Sequence, residues 1–533
     1  MADDNGATAR PETERNREVN NEDKEVDISR YFNDAPLTIF DEIVAPKKPD
    51  YFNVQSASVS RVSDYTLPDS ASNLPFFNSD GLRTSAASSL LEPAERAAEH
   101  GAPNDTHRDA WIPSEQTRRI LRSVATTAAG GNHPDRENLT MPGLAVHGDM
   151  PDPIKNASIH LLGEDENIHR NVLTASDVTQ DERGLRNLIQ AGCYRAAVNL
   201  SGRLLAIYAQ GYGKINQPSK HTPHSLQLWY TRLSLLAKLR QLEVLENESR
   251  PFGSLDKPDM YFRFYPELYG TRSGSMASFA FRLLLAEIPS YCGKPKQALD
   301  NLHRLLATVN RIVANLRVGL HGEGTRATTK TGEQRDAVRL WTARKSRVLV
   351  SVVNCAVGMK SYVLAIEILE ELCRLPEWSA EQLGILRSAI GRVHLFLGDV
   401  SAAERYLVRK EERTSSVREL VDSGLMAVAQ NAFQEAYNCF QSASAMDPSN
   451  VMLINNMAVC LLYTGQLKAA VRLYESLVGR NPLKSLQEPI LLNMCTSYEL
   501  HTTHCKQTKL HLLRQLNRYK GDAADIQCLK LAM

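Results

Sequence analysis

Two stretches of this chain repeat one another at an offset of 34 residues. Gly424, Ala436, Phe440, Ala443 and Pro448 return as Ala458, Ala470, Tyr474, Leu477 and Pro482. A period of that length, with small, Ala, aromatic, apolar and Pro residues in that order, is the tetratricopeptide pattern. It specifies two antiparallel helices per unit, stacked so that neighbours bury what one unit cannot. Each position has a physical reason. A small residue at Gly424 or Ala458 lets the first helix approach the second closely. Ala436 and Ala470 face it from the second helix. Phe440 and Tyr474 fill the gap toward the next unit, with Ala443 and Leu477 apolar beside them. Pro448 and Pro482 lack a backbone N–H and end the second helix. These clearest repeats span about residues 417–484.

A weaker echo extends the pattern backward. Gly followed five residues later by Ala occurs at Gly465/Ala470, Gly398/Ala403, Gly293/Ala298 and Gly192/Ala197. Ala365 and Ala436 hold the Ala position without the Gly. The glycine marks the inter-helix turn, where a left-handed backbone costs it little. Thr179 and Glu182 are spaced as a capping box opening the first helix. Strand-like alternation is rare. The expectation is an all-α protein, a tetratricopeptide-like helical-hairpin solenoid over residues 176–533. Loop-like stretches at 211–225, 247–275 and 319–333 interrupt it, and such insertions map to one face and often make contacts. Residues 105–175 read as a linker with short helical elements. The first starts near Trp111, with Pro113 in its first turn and Ile120 and Leu121 at helical spacing. Residues 126–160 are rich in Gly and Pro.

Residues 1–104 read as a disordered arm, rich in Asn, Asp, Glu, Ser and Pro and without helical periodicity. The charge divides at the same place. The total is +1, from 62 basic and 61 acidic side chains, but residues 1–110 hold 11 basic and 21 acidic ones. The remainder therefore holds 51 and 40. An aromatic-Phe-Asn triplet recurs three times in the arm, as Tyr31-Phe32-Asn33, Tyr51-Phe52-Asn53 and Phe76-Phe77-Asn78. Such rings can anchor in a partner's groove. They can equally be a coincidence of biased composition.

Several classes of function are excluded or disfavoured. No uncharged apolar run approaches the ~18–20 residues of a membrane span. The acidic, polar start is neither a secretory signal nor an Arg-rich transit peptide. The basic surplus of the body is too mild for nucleic acid. All nine cysteines lie between Cys193 and Cys528 with no C-x-x-C pair, which fits free thiols in a reducing cytosol. No phosphate loop, G-x-S-x-G elbow or H-E-x-x-H is present. Gly211-Tyr212-Gly213-Lys214 is a loop without a preceding strand. His501, His504 and Cys505 would share a helical face but lack a fourth ligand. The expectation is no catalytic residue, no cofactor and no metal. One run, Arg335, Arg339, Arg344, Lys345 and Arg347, would form a basic helical face, with Arg335 and Arg339 one turn apart. It is either a solvated face or a docking site, and then for an acidic protein before nucleic acid.

Three stretches resemble the subunit-12 family of the trafficking protein particle (TRAPP) complexes. They are Phe264-Tyr-Pro-Glu-Leu-Tyr-Gly-Thr-Arg-Ser-Gly-Ser-Met276 with Arg282-Leu-Leu-Leu-Ala-Glu-Ile-Pro289, Asn456-Met-Ala-Val-Cys-Leu-Leu-Tyr463, and Gln527-Cys-Leu-Lys-Leu-Ala532. The resemblance covers roughly residues 105–533 and does not reach the arm. It implies a non-catalytic scaffold subunit of the larger assembly, TRAPP III, a vesicle-tethering and Rab guanine-nucleotide-exchange complex of ER-to-Golgi transport and autophagy. The implied partners are large subunits 8, 11 and 13. The small-subunit core and the Rab GTPase would be met indirectly. The implied location is cytoplasmic, peripheral at the ER-Golgi intermediate compartment and Golgi through the complex. The alternative from the residues is a tetratricopeptide adaptor or co-chaperone. Asn455, Asn456, Lys468 and Arg472 would then line a peptide-binding groove.

Overall fold

The computed structural model describes residues 107–126, 135–164, 170, 172–326, 331–375, 378–407 and 416–531. The arm, with its three aromatic triplets, lies outside the described residues, as does Ala532. Among the described residues the chain forms twenty α-helices and no β-strand, with three isolated bridges. The helices are α1 (Glu115–Thr126), α2 (Pro153–Leu162), α3 (Glu182–Gln190), α4 (Tyr194–Ile207), α5 (Pro223–Lys238), α6 (Leu242–Ser249) and the single turn α7 (Pro266–Tyr269). They continue as α8 (Phe279–Tyr291), α9 (Pro295–Arg317), α10 (Thr331–Gly358), α11 (Tyr362–Cys373), α12 (Ala380–Leu397), α13 (Val400–Leu407) and α14 (Val417–Ala429). The last are α15 (Phe433–Met446), α16 (Val451–Tyr463), α17 (Leu467–Arg480), the single turn α18 (Pro482–Ser485), α19 (Glu488–His501) and α20 (Cys505–Tyr519).

One turn builds seven hairpins: α3/α4, α5/α6, α8/α9, α10/α11, α12/α13, α14/α15 and α16/α17. In each, one residue is left-handed: Gly192, Arg240, Gly293, Lys360, Gly398, Asn431 and Gly465, with φ between 53° and 77°. The next residue donates its N–H to the carbonyl five residues back, as Cys193 to Leu188, Gln241 to Leu236 and Gln466 to Leu461, at 2.7–3.0 Å. This is the Schellman closure of the first helix. The same residue's carbonyl accepts from the N–H four residues on, at 2.9–3.2 Å, and so begins the second helix. Those donors are Ala197, Leu245, Ala298, Ala365, Ala403, Ala436 and Ala470, each 0% exposed. The Gly/Ala spacing finds four of these turns. Lys360 and Asn431 take the left-handed position without Gly, and Arg240/Leu245 has neither residue of the pattern.

Packing within a hairpin follows from volume. Twelve residues before the buried Ala and four after it stand Gly391/Leu407, Gly424/Phe440 and Ala458/Tyr474 in the last three of the seven hairpins. A Cβ on Gly424 would stand 2.6–3.0 Å from ring carbons of Phe440, and one on Gly391 would collide with Leu407. At the first two hairpins the same positions are Leu185/Ser201 and Leu233/Ser249. The large residue has changed helix and the summed volume is kept.

The first helix departs from expectation. Its N-cap is Asp181, whose carboxylate accepts from Gly184 N, while Thr179 donates to Asp181 instead of capping. An ionised oxygen two residues closer is the stronger acceptor for the free N–H groups. The Gly/Pro-rich stretch 126–160 holds α2, capped by Asp152 and carrying Ile154 and Ala157 into the core of the C-terminal hairpins. Residues 211–225 already turn helical at Pro223. The 247–275 stretch is core. Phe252, Leu255, Met260, Tyr261, Phe262 and Tyr265 are buried. Phe252 packs edge-to-face on Trp229 at 5.3 Å and Phe281 at 5.2 Å. Short 3-10 turns at Arg250–Phe252, Pro258–Met260 and Phe262–Phe264 satisfy backbone groups that burial would otherwise leave orphaned.

The two ends of the array meet. The Arg170 guanidinium pairs with Asp152 and donates to the carbonyls of Asn517, in the last turn of α20, and of Lys520 and Gly521 just beyond it, at 3.1–3.3 Å. The Asp522 carboxylate accepts from the N–H groups of Arg195 and Ala196 at the start of α4, at 3.0 and 2.8 Å. A Cβ on Gly521 would collide with the Gly192 carbonyl, so only glycine allows this approach. The last hairpin therefore sits on the turn of the first.

Candidate interaction surfaces and the polar anchor

Residues 107–126 and 135–145 are fastened to the central block by polar contacts. The Asp109 carbonyl accepts from Ser275 N at 2.9 Å, and its carboxylate pairs with Arg272 at 2.6 Å. The guanidinium of Arg282 lies 4.0 Å from the centre of the Trp111 ring, a desolvated cation–π contact. Ser114 N and the Thr117 hydroxyl bond Asp256. Lys257 donates to the Leu139 carbonyl at 2.8 Å. The Asp259 carboxylate accepts from Thr140 N at 2.5 Å and Thr140 Oγ1 at 3.0 Å. His221 Nε2 donates to the Thr140 carbonyl at 2.9 Å, since a carbonyl can only accept.

Thr140, His221 and Asp259 are all buried. Burial pushes His221 down to about 4, against the pull of its Thr140 bond. Burial pushes Asp259 up to about 7, opposed by the two Thr140 bonds. His221 Nε2 lies 3.6 Å from Asp259, but the imidazole is neutral at pH 7, so the contact is not an ion pair there. All these groups face one another. Arg272, Ser275 and Arg282, within the stretch that resembles the family, thus help to hold the N-terminal segment to the body.

Gly424, Ala436, Phe440, Ala443, Ala458, Ala470 and Tyr474 are buried, and Leu477 is half-buried. They touch neighbouring helices and are unavailable to a partner. Pro448 and Pro482 follow the ends of α15 and α17, and Pro482 also opens the turn α18. Asn455 is buried, accepting from Tyr474 Oη and Asn493 Nδ2 at 3.0 Å each. Lys468 and Arg472 are exposed. His501 ends α19 and Cys505 begins α20, so the helix breaks at Thr502 and the three donors do not share a helical face. All nine cysteines are free thiols.

The basic run does not form one face. Arg335 and Arg339 are exposed. Arg344 is buried beside Phe279 and Trp341 and donates to the Arg108 carbonyl at 2.9 Å. Lys345 reaches Glu371 at 3.6 Å. A straight helix carries residues nine and twelve positions apart to different sides, and here one side is core. What the run loses, the hairpin partner adds. Gln334 donates to the Leu316 carbonyl at 2.7 Å, which sets the end of α9, with Arg317, against the start of α10, with Arg335. Arg326 stands in the connecting loop. Arg311, Arg317 and Arg326 are exposed and lie outside the run that sequence singles out. Only the antiparallel pairing of α9 and α10 assembles them.

Among the described residues no helix is long and apolar enough to cross a membrane. No model of a known protein family matches the chain. The architecture defines a class, the α-solenoids of helical hairpins with tetratricopeptide-like packing. Over 435 residues, 80% of its length, the chain is 42% identical to trafficking protein particle complex subunit 12 of Mus musculus. It is 41% identical, over the same share, to the Homo sapiens protein of that name. These two proteins are homologues of the chain over that stretch. The chain spans 54% and 59% of their lengths.

Proposed function

We propose that this protein is a non-catalytic scaffold subunit of a TRAPP III-type vesicle-tethering complex, acting in ER-to-Golgi transport and autophagy. The observation that carries this reading is the 42% identity over 435 residues to a protein named as subunit 12 of the trafficking protein particle complex. The helical-hairpin body supports it, because stacked hairpins present broad surfaces and work through protein contacts. Large subunits 8, 11 and 13 are the proposed direct partners. The small-subunit core and its Rab GTPase are engaged through them, and membranes at the intermediate compartment and Golgi only through the complex. The adaptor reading has less support, because Asn455 is already engaged by Tyr474 and Asn493. Affinity purification of the tagged full chain tests the proposal. TRAPP subunits should co-purify in near-stoichiometric amounts. Their absence, with chaperones or unrelated assemblies in their place, would overturn it.

A further inference from the structure

The α9–α10 hairpin exposes Arg311, Arg317, Arg326, Arg335 and Arg339 around its loop end. None pairs with an acidic side chain among the described residues. The exposed acids nearby on α10 are Glu333 and Asp336, and Glu323 of the loop is taken by Arg263 at 3.8 Å. Arginine surplus of this kind is a docking surface for carboxylates.

The described chain enters the body at this place. Trp341 Nε1 donates to the His107 carbonyl at 2.9 Å, and Arg344 to that of Arg108. The His107 ring lies 5.4 Å from that of His321 in the α9–α10 loop. Gly322 is glycine because Ala110 and Ile312 close over it, at 2.8 and 3.1 Å from where a Cβ would stand. Arg311 precedes Ile312, and Arg339 lies two residues before Trp341. Immediately upstream, residues 92–105 carry Glu92, Glu95, Glu99 and Asp105 against Arg96 alone. Fourteen residues reach at most about 45 Å, ample to cover the hairpin end.

We propose that residues 92–105 of the arm dock in cis on this arginine patch. The tether supplies an effective concentration of order mM, so weak carboxylate–guanidinium pairs suffice. The contact weakens as salt screens it. This inference stands independently of the TRAPP reading.

NMR on the 15N-labelled full chain tests it, through the amide signals of residues 92–99 compared with the uncharged stretch 51–60. At about 50 mM salt, with a Debye length of roughly 14 Å, residues 92–99 should be attenuated at least about twofold more than 51–60. About 0.5 M salt, or the pair Arg335→Glu/Arg339→Glu at low salt, should restore them. Lys468→Glu, on distant α17, should not. If the first pair fails to fold, Arg311→Glu/Arg317→Glu serves in its place. Equally sharp signals in the wild type would overturn the proposal and leave the patch to a partner in trans. Attenuation that survives the charge reversals, or that Lys468→Glu also removes, would overturn it too.

Discussion

At the residue scale, the seven left-handed turn positions carry the fold. Lys360 and Asn431 occupy a conformation that glycine adopts without strain, both at φ 60°. Lys360→Gly should raise stability by about 0.5–1 kcal/mol, and Asn431→Gly by less, because Asn tolerates this region better. Thermal melts check this, and a loss in both variants would put the strain elsewhere. His221 and Asp259 add a pH dependence of opposed sense. His221 stays neutral in the fold down to about 4, whereas the unfolded chain protonates it near 6.5. Its stabilising contribution is intact above pH 6.5 and lost as pH falls toward 4. Asp259 is held up at about 7 against 3.8 unfolded, so its contribution is intact below 3.8 and lost as pH rises through 7. The two offset one another between about pH 4 and 6.5. Relative to wild type, Asp259→Asn should therefore lose melting temperature from pH 7 to pH 5, and His221→Gln should gain it. Parallel melting curves for all three proteins would show that neither group titrates with folding. Neither sense was legible in sequence, since nothing local marks Thr140, His221 and Asp259 as neighbours.

At the element scale, the hairpin is a volume contract between two helices. Gly424→Leu should overpack α14 against Phe440 and destabilise by about 1–3 kcal/mol. Phe440→Ala should destabilise by about 3–5 kcal/mol through the cavity it leaves. Combined, they copy the large-then-small arrangement of Leu185/Ser201. The double variant should be more stable than the sum of the singles predicts by 1 kcal/mol or more. Additive denaturation midpoints would show that the two positions do not share space. The last two hairpins of this kind were legible because their Gly, Ala, aromatic and Pro positions keep one spacing. The α5/α6 hairpin was not, because Arg240 and Leu245 preserve the geometry with neither residue of the pattern. The 247–275 stretch also misled. Pro and Gly punctuate it as a loop, but its aromatics are distributed through irregular turns, where no periodicity reveals burial.

At the scale of the whole molecule, contacts between the first and last hairpins join the array end to end. Asp522 is central, with its carboxyl pushed up to about 6 by burial and steadied by the two N–H groups it accepts. Asp522→Ala should free those donors, lower the melting temperature and speed hydrogen exchange at Arg195 and Ala196. Gly521→Val should act in the same direction by blocking the approach to Gly192. An unchanged exchange pattern in both would mean that the ends hold together without this loop.

The amino-acid pattern by itself determined that the body is a stack of helical hairpins. Helix, turn and facing positions are encoded within some thirty consecutive residues, and a left-handed turn followed by a small buried residue is a local requirement. It also showed the division of charge between arm and body. Only the tertiary structure decided that 247–275 is core, that five arginines from α9, its loop and α10 share one end of a hairpin, and that the last loop rests on the first turn. Those outcomes depend on contacts between residues tens to hundreds of positions apart. Such contacts are set by which apolar surfaces find complementary volume, and no window of sequence contains both partners.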